Sequence, residues 1–204
     1  CEDGRGNLAE VIAKKLGYKY THAIGMDLPV RFIPGYEPDD KRIIKFGPAI
    51  LSRYEIMNSK VIELTEEDKR LIVKANIKVE DKTLHVFSVH LKHTHQKQSE
   101  LQNLQAENLI KLIPKEKTIV MGDFNALPES TVIKKMIGVL QDTETGFTTP
   151  TWSVYKKGCT ICLIGDVKYK LDYIFTTKDS NANSFQVYKS AGSDHLPISV
   201  MVDF

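Results

Sequence analysis

The sequence has few cysteines, almost no net charge and no long apolar run, and each shortage argues against a class of protein. No stretch approaches the roughly 20 apolar residues needed to span a bilayer, and no charged-then-apolar signal segment opens the chain. The 28 basic and 26 acidic residues leave a net charge of +2. The basic residues are scattered, so no concentrated polyanion-binding face is indicated. Nucleic acid is therefore neither required nor excluded as a partner.

The three cysteines are Cys1, Cys159 and Cys162, and the last two are spaced as CxxC. Such a pair serves zinc binding, redox chemistry or a disulfide when further ligands or a framework accompany it. The sequence offers no second CxxC and no His-x-x-His partner. We therefore interpret the pair as part of an ordinary loop or hairpin. An odd cysteine count without a disulfide framework favours a reducing compartment, so we expect a cytoplasmic protein.

The pattern of apolar residues predicts one α/β domain covering residues 1–204. An apolar fraction of 42% and a charged fraction of 26% are typical of a folded domain of this length. Helices and strands do not alternate strictly, so we expect mixed sheets. Helices are predicted over residues 7–16, 99–113 and 131–140, and a loop or hairpin region over 18–46. Strands are predicted over 61–64, 71–79, 84–91, 118–122, 170–175 and 198–204, with a further short strand within 47–56.

Polar residues stand out at the ends of two predicted buried strands. His90 closes the strand over residues 84–91, while Asp123 and Asn125 follow the strand over 118–122. Each has an ordinary structural interpretation, because a strand histidine is often a hydrogen-bonded core residue and an Asp after a strand is often a turn. Together they indicate chemistry, since active sites of α/β folds are assembled at strand ends.

Three further residues complete a candidate set. Asp172 is expected inside the apolar strand 170–175, where a carboxylate is costly unless a positive or donating group meets it. Asp194 and His195 precede the last predicted strand. Carboxylates hold hard cations such as Mg²⁺ or Mn²⁺ through oxygen. A histidine held by a carboxylate can act as base, acid or charge stabiliser in phosphate-ester hydrolysis.

Five segments, taken in order, make the sequence resemble the endonuclease/exonuclease/phosphatase superfamily. Any one segment alone is a weak signal, but GDFN, LDYIF and SDHLP form a specific set. The segments are GPAILSR (residues 47–53), FSVHL (87–91), VMGDFNALP (120–128), KLDYIF (170–175) and SDHLPI (193–198). The resemblance implies a four-layer sandwich in which two mixed β-sheets pack face to face with helices outside. It also implies a divalent-metal-dependent phosphoesterase.

The resemblance implies a role for each matched residue. Asp123 and Asn125 would orient or activate the attacking water at the reacting phosphate. His195 would be the catalytic histidine, polarised by Asp172. Asp194 would bind or support the metal. Two residues of the first two segments would contact substrate: His90 the scissile phosphate, and Arg53 another part of the substrate.

The N-terminal part of the resemblance is incomplete. The family opens with a strand that ends in an Asn, and we expect that this strand precedes Cys1 and is missing from the chain. The family's next motif ends in Gln-Glu, and its Glu is the principal metal ligand. Here Cys1-Glu2 stands just before the predicted first helix. We therefore expect Glu2 to be the metal ligand; a frayed, exposed terminal acid is the alternative.

The sequence leaves the substrate open between DNA, RNA, phospholipid, sugar phosphate and inositol phosphate, although a phosphodiester is favoured. Four basic or histidine residues follow the strand of His90: Lys92, His93, His95 and Lys97. Their side chains could attract a phosphate group, or they could simply be solvated. The main alternative to an enzyme is a binding module that keeps the fold and has lost the chemistry. Retention of the acidic and histidine motifs favours the enzyme.

Overall fold

A computed structural model of the chain describes residues 7–30, 37, 39–94, 96–146, 148–152, 167–190 and 192–204. The chain divides into two compact units, Cys1–His90 and Leu91–Phe204, which are described in turn. Both contain helices and antiparallel strands, so the chain belongs to the mixed α/β class. The single domain and the face-to-face packing of two sheets stay predictions.

The first unit opens with helix α1 (Leu8–Leu16), whose ends follow the sequence signals. The side chain of Asn7 accepts a hydrogen bond from Ala9 N, and Gly17 closes the helix in the left-handed conformation. The helix packs on β1 (Lys19–His22) and β4 (Ala49–Ser52), which pair with each other. Residues 18–46 are more regular than predicted. They contain β1 and a second antiparallel pair, β2 (Met26–Pro29) with β3 (Ile43–Phe46).

Three longer strands form the rest of the first unit. They are β5 (Glu55–Glu63), β6 (Leu71–Val79) and β7 (Lys82–His90), paired antiparallel in that order. The sequence predicted β6 and β7 closely. It predicted only the last part of β5, because the exposed first residues of that strand lack an apolar pattern.

The described part of the second unit contains two helices, five strands and a buried aromatic cluster. The helices are α2 (Glu100–Leu112) and α3 (Thr131–Val139), which pack against each other. Strand β10 (Asp172–Thr176) lies between β8 (Thr118–Asp123) and β9 (Gln141–Asp142), and β11 (Asn181–Val187) pairs with β12 (Ile198–Asp203). Fully buried Phe124, Tyr173 and Phe175 form edge-to-face and stacked contacts in the core.

The longest helix in the described part of the chain, α2, has 13 residues. None of the helices described combines the length and the apolar character of a membrane span.

Candidate active site

Asp123 and Asp172 lie directly opposite each other at one edge of the second unit's central sheet. Strands β8 and β10 are antiparallel, and the register pairs Asp123, the last residue of β8, with Asp172, the first residue of β10. Directly opposed residues of an antiparallel pair project to the same face. The two side chains are 17% and 16% exposed, so solvent reaches both. Asp172 belongs to the strand, as predicted, but it is the first residue, because β10 begins two residues after the predicted start.

The ring of His195 lies between these two carboxylates. His195 Nδ1 donates a hydrogen bond to Asp172 Oδ2 at 2.7 Å, and His195 Nε2 is 3.8 Å from Asp123 Oδ2. Two carboxylates facing each other across a strand pair repel, and a positive ring between them offsets that repulsion. The contact predicted between Asp172 and His195 is therefore present, while the catalytic roles of both stay predictions.

The environment of His195 favours its protonated form. Burial of the ring alone lowers the pKa of His195, but the hydrogen bond to Asp172 and the negative charges of Asp172, Asp123 and Asp194 more than offset it. Together these groups raise the pKa from 6.5 to about 9. At neutral pH the ring therefore carries both protons, so Nε2 is a donor on the side of Asp123.

A short bridge fixes the backbone on both sides of the site. Thr151 Oγ1 accepts hydrogen bonds from the backbone N–H groups of Leu171 and Asp172 at 3.2 and 3.3 Å. Thr151 O accepts from Leu196 N at 2.8 Å. One residue, 1% exposed, thus connects the strand of Asp172 to the segment of His195. Its neighbour Trp152 donates from Nε1 to Asp194 Oδ2 at 3.3 Å.

Asn125 is held in an uncommon backbone conformation beside Asp123. Its φ is 48°, in the left-handed region, and its N–H donates to Asp123 Oδ1 at 2.7 Å. The side-chain amide donates to Leu91 O at 3.1 Å and accepts from His93 Nδ1 at 2.8 Å. Asp123 and Asn125 therefore form a turn, which the sequence analysis gave as the ordinary structural explanation for an Asp after a strand. The turn also fixes a buried amide at the site's edge.

Helix α2 holds the two loops that carry these residues. Gln102 Nε2 lies 2.8, 3.1 and 2.9 Å from the carbonyl oxygens of Lys92, Phe124 and Asn125. The side chain of Gln105 accepts from Lys92 N at 2.9 Å. Sequence reasoning missed both glutamines, because a polar residue on a helix predicts a solvated face. It also missed Trp152, for which the one available signal was that the chain has a single Trp.

Comparison with known proteins identifies the family. The model of the endonuclease/exonuclease/phosphatase family matches residues 6–195, which include Asp123, Asn125, Asp172, Asp194 and His195. The chain belongs to the endonuclease/exonuclease/phosphatase family. Members are generally hydrolytic phosphoesterases that depend on a divalent metal ion. Among curated proteins, no sequence matches the chain.

Solved structures of this family share the fold. A family protein from Leptotrichia buccalis is 20% identical, with a TM-score of 0.68 over 97% of this chain and 78% of its own. The human Nocturnin catalytic domain with bound sulfate is 17% identical, with a TM-score of 0.66 over 98% and 78%. A mannosyl-6-phosphatase from Bacteroides thetaiotaomicron is 18% identical, with a TM-score of 0.64 over 96% and 81%. Identities this low show the fold alone.

The described residues at the site suit a hard cation such as family members use. Asp123, Asp172 and His195 each offer a potential ligand atom within 4.8 Å of the others. Because His195 Nδ1 and Asp172 are bonded to each other, the carboxylate of Asp123 is the best placed of the three. Oxygen donors of this kind suit Mg²⁺ or Mn²⁺, which need one or two carboxylates beside water and substrate oxygens.

The remaining predicted site residues are placed elsewhere. Asp194 accepts from Trp152, and its role at the metal stays a prediction. Glu2, Cys159 and Cys162 lie outside the described residues. Two residues belong to the first unit: His90 ends β7 with its ring 6.0 Å from that of Phe46, and exposed Arg53 lies over the ring of Tyr54 at 5.2 Å. Their contacts with substrate stay predictions.

Proposed function

We propose that this chain hydrolyses phosphate esters, phosphodiesters in particular, by in-line attack of an activated water in the presence of Mg²⁺ or Mn²⁺. One observation carries the proposal: His195 is held by Asp172 and faces Asp123, at an edge where two opposed carboxylates would otherwise repel. A purely structural ion pair would not need a second carboxylate at the solvent-accessible side of the ring. Perturbed, partly exposed groups of this kind are typical of reacting sites.

In the proposed reaction, each side chain has one task. Water attacks phosphorus on the side opposite the leaving oxygen; the new P–O bond forms as the ester P–O bond breaks. Asp123 accepts the proton of that water, and the turn to Asn125 fixes the carboxylate. His195 donates from Nε2 to a phosphoryl oxygen, where negative charge develops, while Asp172 holds the ring.

A bound divalent cation would neutralise charge on the phosphoryl oxygens and lower the pKa of a bound water. We propose Asp194 and Glu2 as the residues that hold it, with Asp123 at the same edge. His90 is proposed to contact the scissile phosphate. We also retain the prediction of a cytoplasmic location, which a fluorescent fusion to the full protein tests.

A substrate screen with one pair of variants tests the proposal. The protein is assayed with Mg²⁺ and with Mn²⁺ on a bis-aryl phosphodiester, an aryl phosphomonoester, abasic DNA and sphingomyelin. We expect turnover of at least one diester, lost in His195→Ala. The matched control is His85→Ala, because His85 is also a half-buried histidine whose ring is bonded to another side chain, that of Asn76, at 2.7 Å. Binding of phosphate esters without turnover would favour the binding module instead.

A further inference from the structure

A small pocket in the first unit contains a buried arginine that sequence reasoning did not select. The pocket holds about 200 Å³ of empty space, counting its open mouth. Its walls come from the starts of β2 and β6, the end of β3 and the end of β7. They are formed by Gly25, Met26, Phe46, Gly47, Pro48, Arg70, Leu71 and His90.

Arg70 presents hydrogen-bond donors that are not used by the described part of the protein. Its side chain is 9% exposed, and Nε and Nη1 are buried without a hydrogen-bond partner among the described residues. Asp68 Oδ1 approaches Nε at 3.4 Å, which gives an ion pair but not hydrogen-bond geometry. A buried guanidinium with unused donors is costly, so such groups normally have an acceptor.

Two glycines allow the segments that line the pocket to pack closely. A Cβ on Gly47 would lie 2.2 Å from Ala23 O, and one on Gly25 would lie 2.8 Å from the side chain of Leu71. The two segments also bond directly, since Gly25 N donates to Phe46 O at 3.2 Å. Among the described residues, none supplies the acceptor that Arg70 Nε and Nη1 lack. A ligand that enters the pocket would supply it.

We propose that Arg70 is an oxyanion-binding residue, whose guanidinium donates to an oxygen of a phosphate group that enters this pocket beside His90. A guanidinium offers a planar set of donors that matches the oxygens of a phosphate. The enclosed part of the pocket is about 10 Å³, which is room for about one such oxygen, while the rest of the ligand stays at the mouth. That this phosphate belongs to the substrate rests on the proposed function.

The proposal adds Arg70 as a second arginine for substrate contact beside Arg53, whose own contact stays a prediction. Arg53 is exposed, and its guanidinium already lies over the ring of Tyr54 at 5.2 Å. Arg70 is buried, and it lines the pocket together with His90. An exposed arginine keeps its hydration and gains little from a phosphate, whereas a buried one gains the acceptor it lacks.

The direct test measures binding of inorganic phosphate by calorimetry, with a chelator present so that no cation takes part. We expect Arg70→Gln to weaken the binding about 10- to 100-fold, as expected for the loss of a charged hydrogen bond. The matched control Arg42→Gln removes the same charge from an exposed position, where Arg42 pairs with Asp40, and should change the affinity less than about twofold. Failure of the wild-type protein to bind phosphate, or equal affinity in Arg70→Gln, overturns the proposal.

A second variant decides the matter if Arg70→Gln does not fold. Asp68→Asn removes the carboxylate that competes for Arg70, so phosphate should bind about fivefold more tightly or better. Glu67→Gln removes an exposed acid next to it in the chain and should have little effect. Unchanged or weaker phosphate binding in Asp68→Asn would show that Arg70 serves only to pair with Asp68.

The two proposals can fail separately. In one outcome the protein hydrolyses no phosphate ester, but Arg70→Gln still weakens phosphate binding. That outcome supports the oxyanion site and contradicts the proposed function. If esters are hydrolysed and Arg70→Gln leaves both phosphate affinity and KM unchanged, the oxyanion site falls alone. If both stand, Arg70→Gln raises KM and the inhibition constant of phosphate together.

Discussion

The most informative residue is His195, because its charge and the two carboxylates beside it depend on each other. Nuclear magnetic resonance titration of the metal-free, chelated protein should give His195 a pKa of about 9, above its ordinary 6.5. Asp172→Asn should lower the pKa of His195, because it removes the carboxylate that accepts the hydrogen bond from Nδ1. The control Asp142→Asn removes a carboxylate bonded to Lys170 instead and should leave His195 unchanged. A wild-type pKa at or below 6.5 would contradict the geometry.

The same shift predicts how stability depends on pH. The folded protein binds the His195 proton more tightly than the unfolded chain does. The stabilisation is therefore fully present below about pH 6.5, and it is lost as pH rises through about 9. Denaturant melts of the metal-free wild-type protein between pH 6.5 and about 9 should show the free energy of unfolding falling as pH rises. The fall should be smaller in Asp172→Asn. An equal fall in both proteins would contradict the prediction.

At the scale of elements, helix α2 holds the site's loops in place. Gln102→Met keeps the side-chain size but leaves the carbonyl oxygens of Lys92, Phe124 and Asn125 without this donor. We expect a loss of about 1–3 kcal/mol in the free energy of unfolding, measured by denaturant melts. The control Leu104→Gln adds an amide on the exposed side of the same helix, where Leu104 is 43% exposed, and should be nearly neutral. A neutral Gln102→Met would show that the loops are held by other contacts.

Elements with a clear apolar period were predictable, and polar edge strands were not. Helices α1, α2 and α3 start at or next to the predicted residues because Asn7, Ser99 and Ser130 cap them. Strand β11 was missed, since its sequence NANSFQV has no alternation and its register with β12 shifts between Asn183 and Gln186. Pairing with a neighbour forms that strand, and a single sequence does not show pairing.

The candidate site was predictable in its motifs but not in its supporting contacts. The sequence selected Asp123, Asn125, Asp172 and His195, which the structure brings together. It gave no indication of the bridge at Thr151, because a threonine in a loop has no distinguishing pattern. Arg70 was missed for a similar reason, since its burial arises from tertiary packing and not from a motif.

At the scale of the whole molecule, activity should require a divalent cation. Exhaustive chelation should abolish ester hydrolysis, and Mg²⁺ or Mn²⁺ should restore it, because the acidic groups at the site offer oxygen ligands. The double variant Cys159→Ser with Cys162→Ser should retain turnover. Full activity after chelation would contradict the requirement for a metal. A large loss of turnover in the cysteine variant would support a zinc or redox role for the Cys159 and Cys162 pair.

A double-mutant cycle on Asp172 and His195 tests the central claim, that these two side chains act as one catalytic unit. His195→Ala should lower kcat by about 10²- to 10⁴-fold, the usual scale for losing a positioned acid or base, while the fold survives. Asp172→Asn should give a related loss, because an amide cannot stabilise a charged ring as a carboxylate does. With Mg²⁺ or Mn²⁺ present, the double variant should be little slower than His195→Ala alone. Losses that simply multiply would contradict the account, because Asp172 would then contribute nothing through His195.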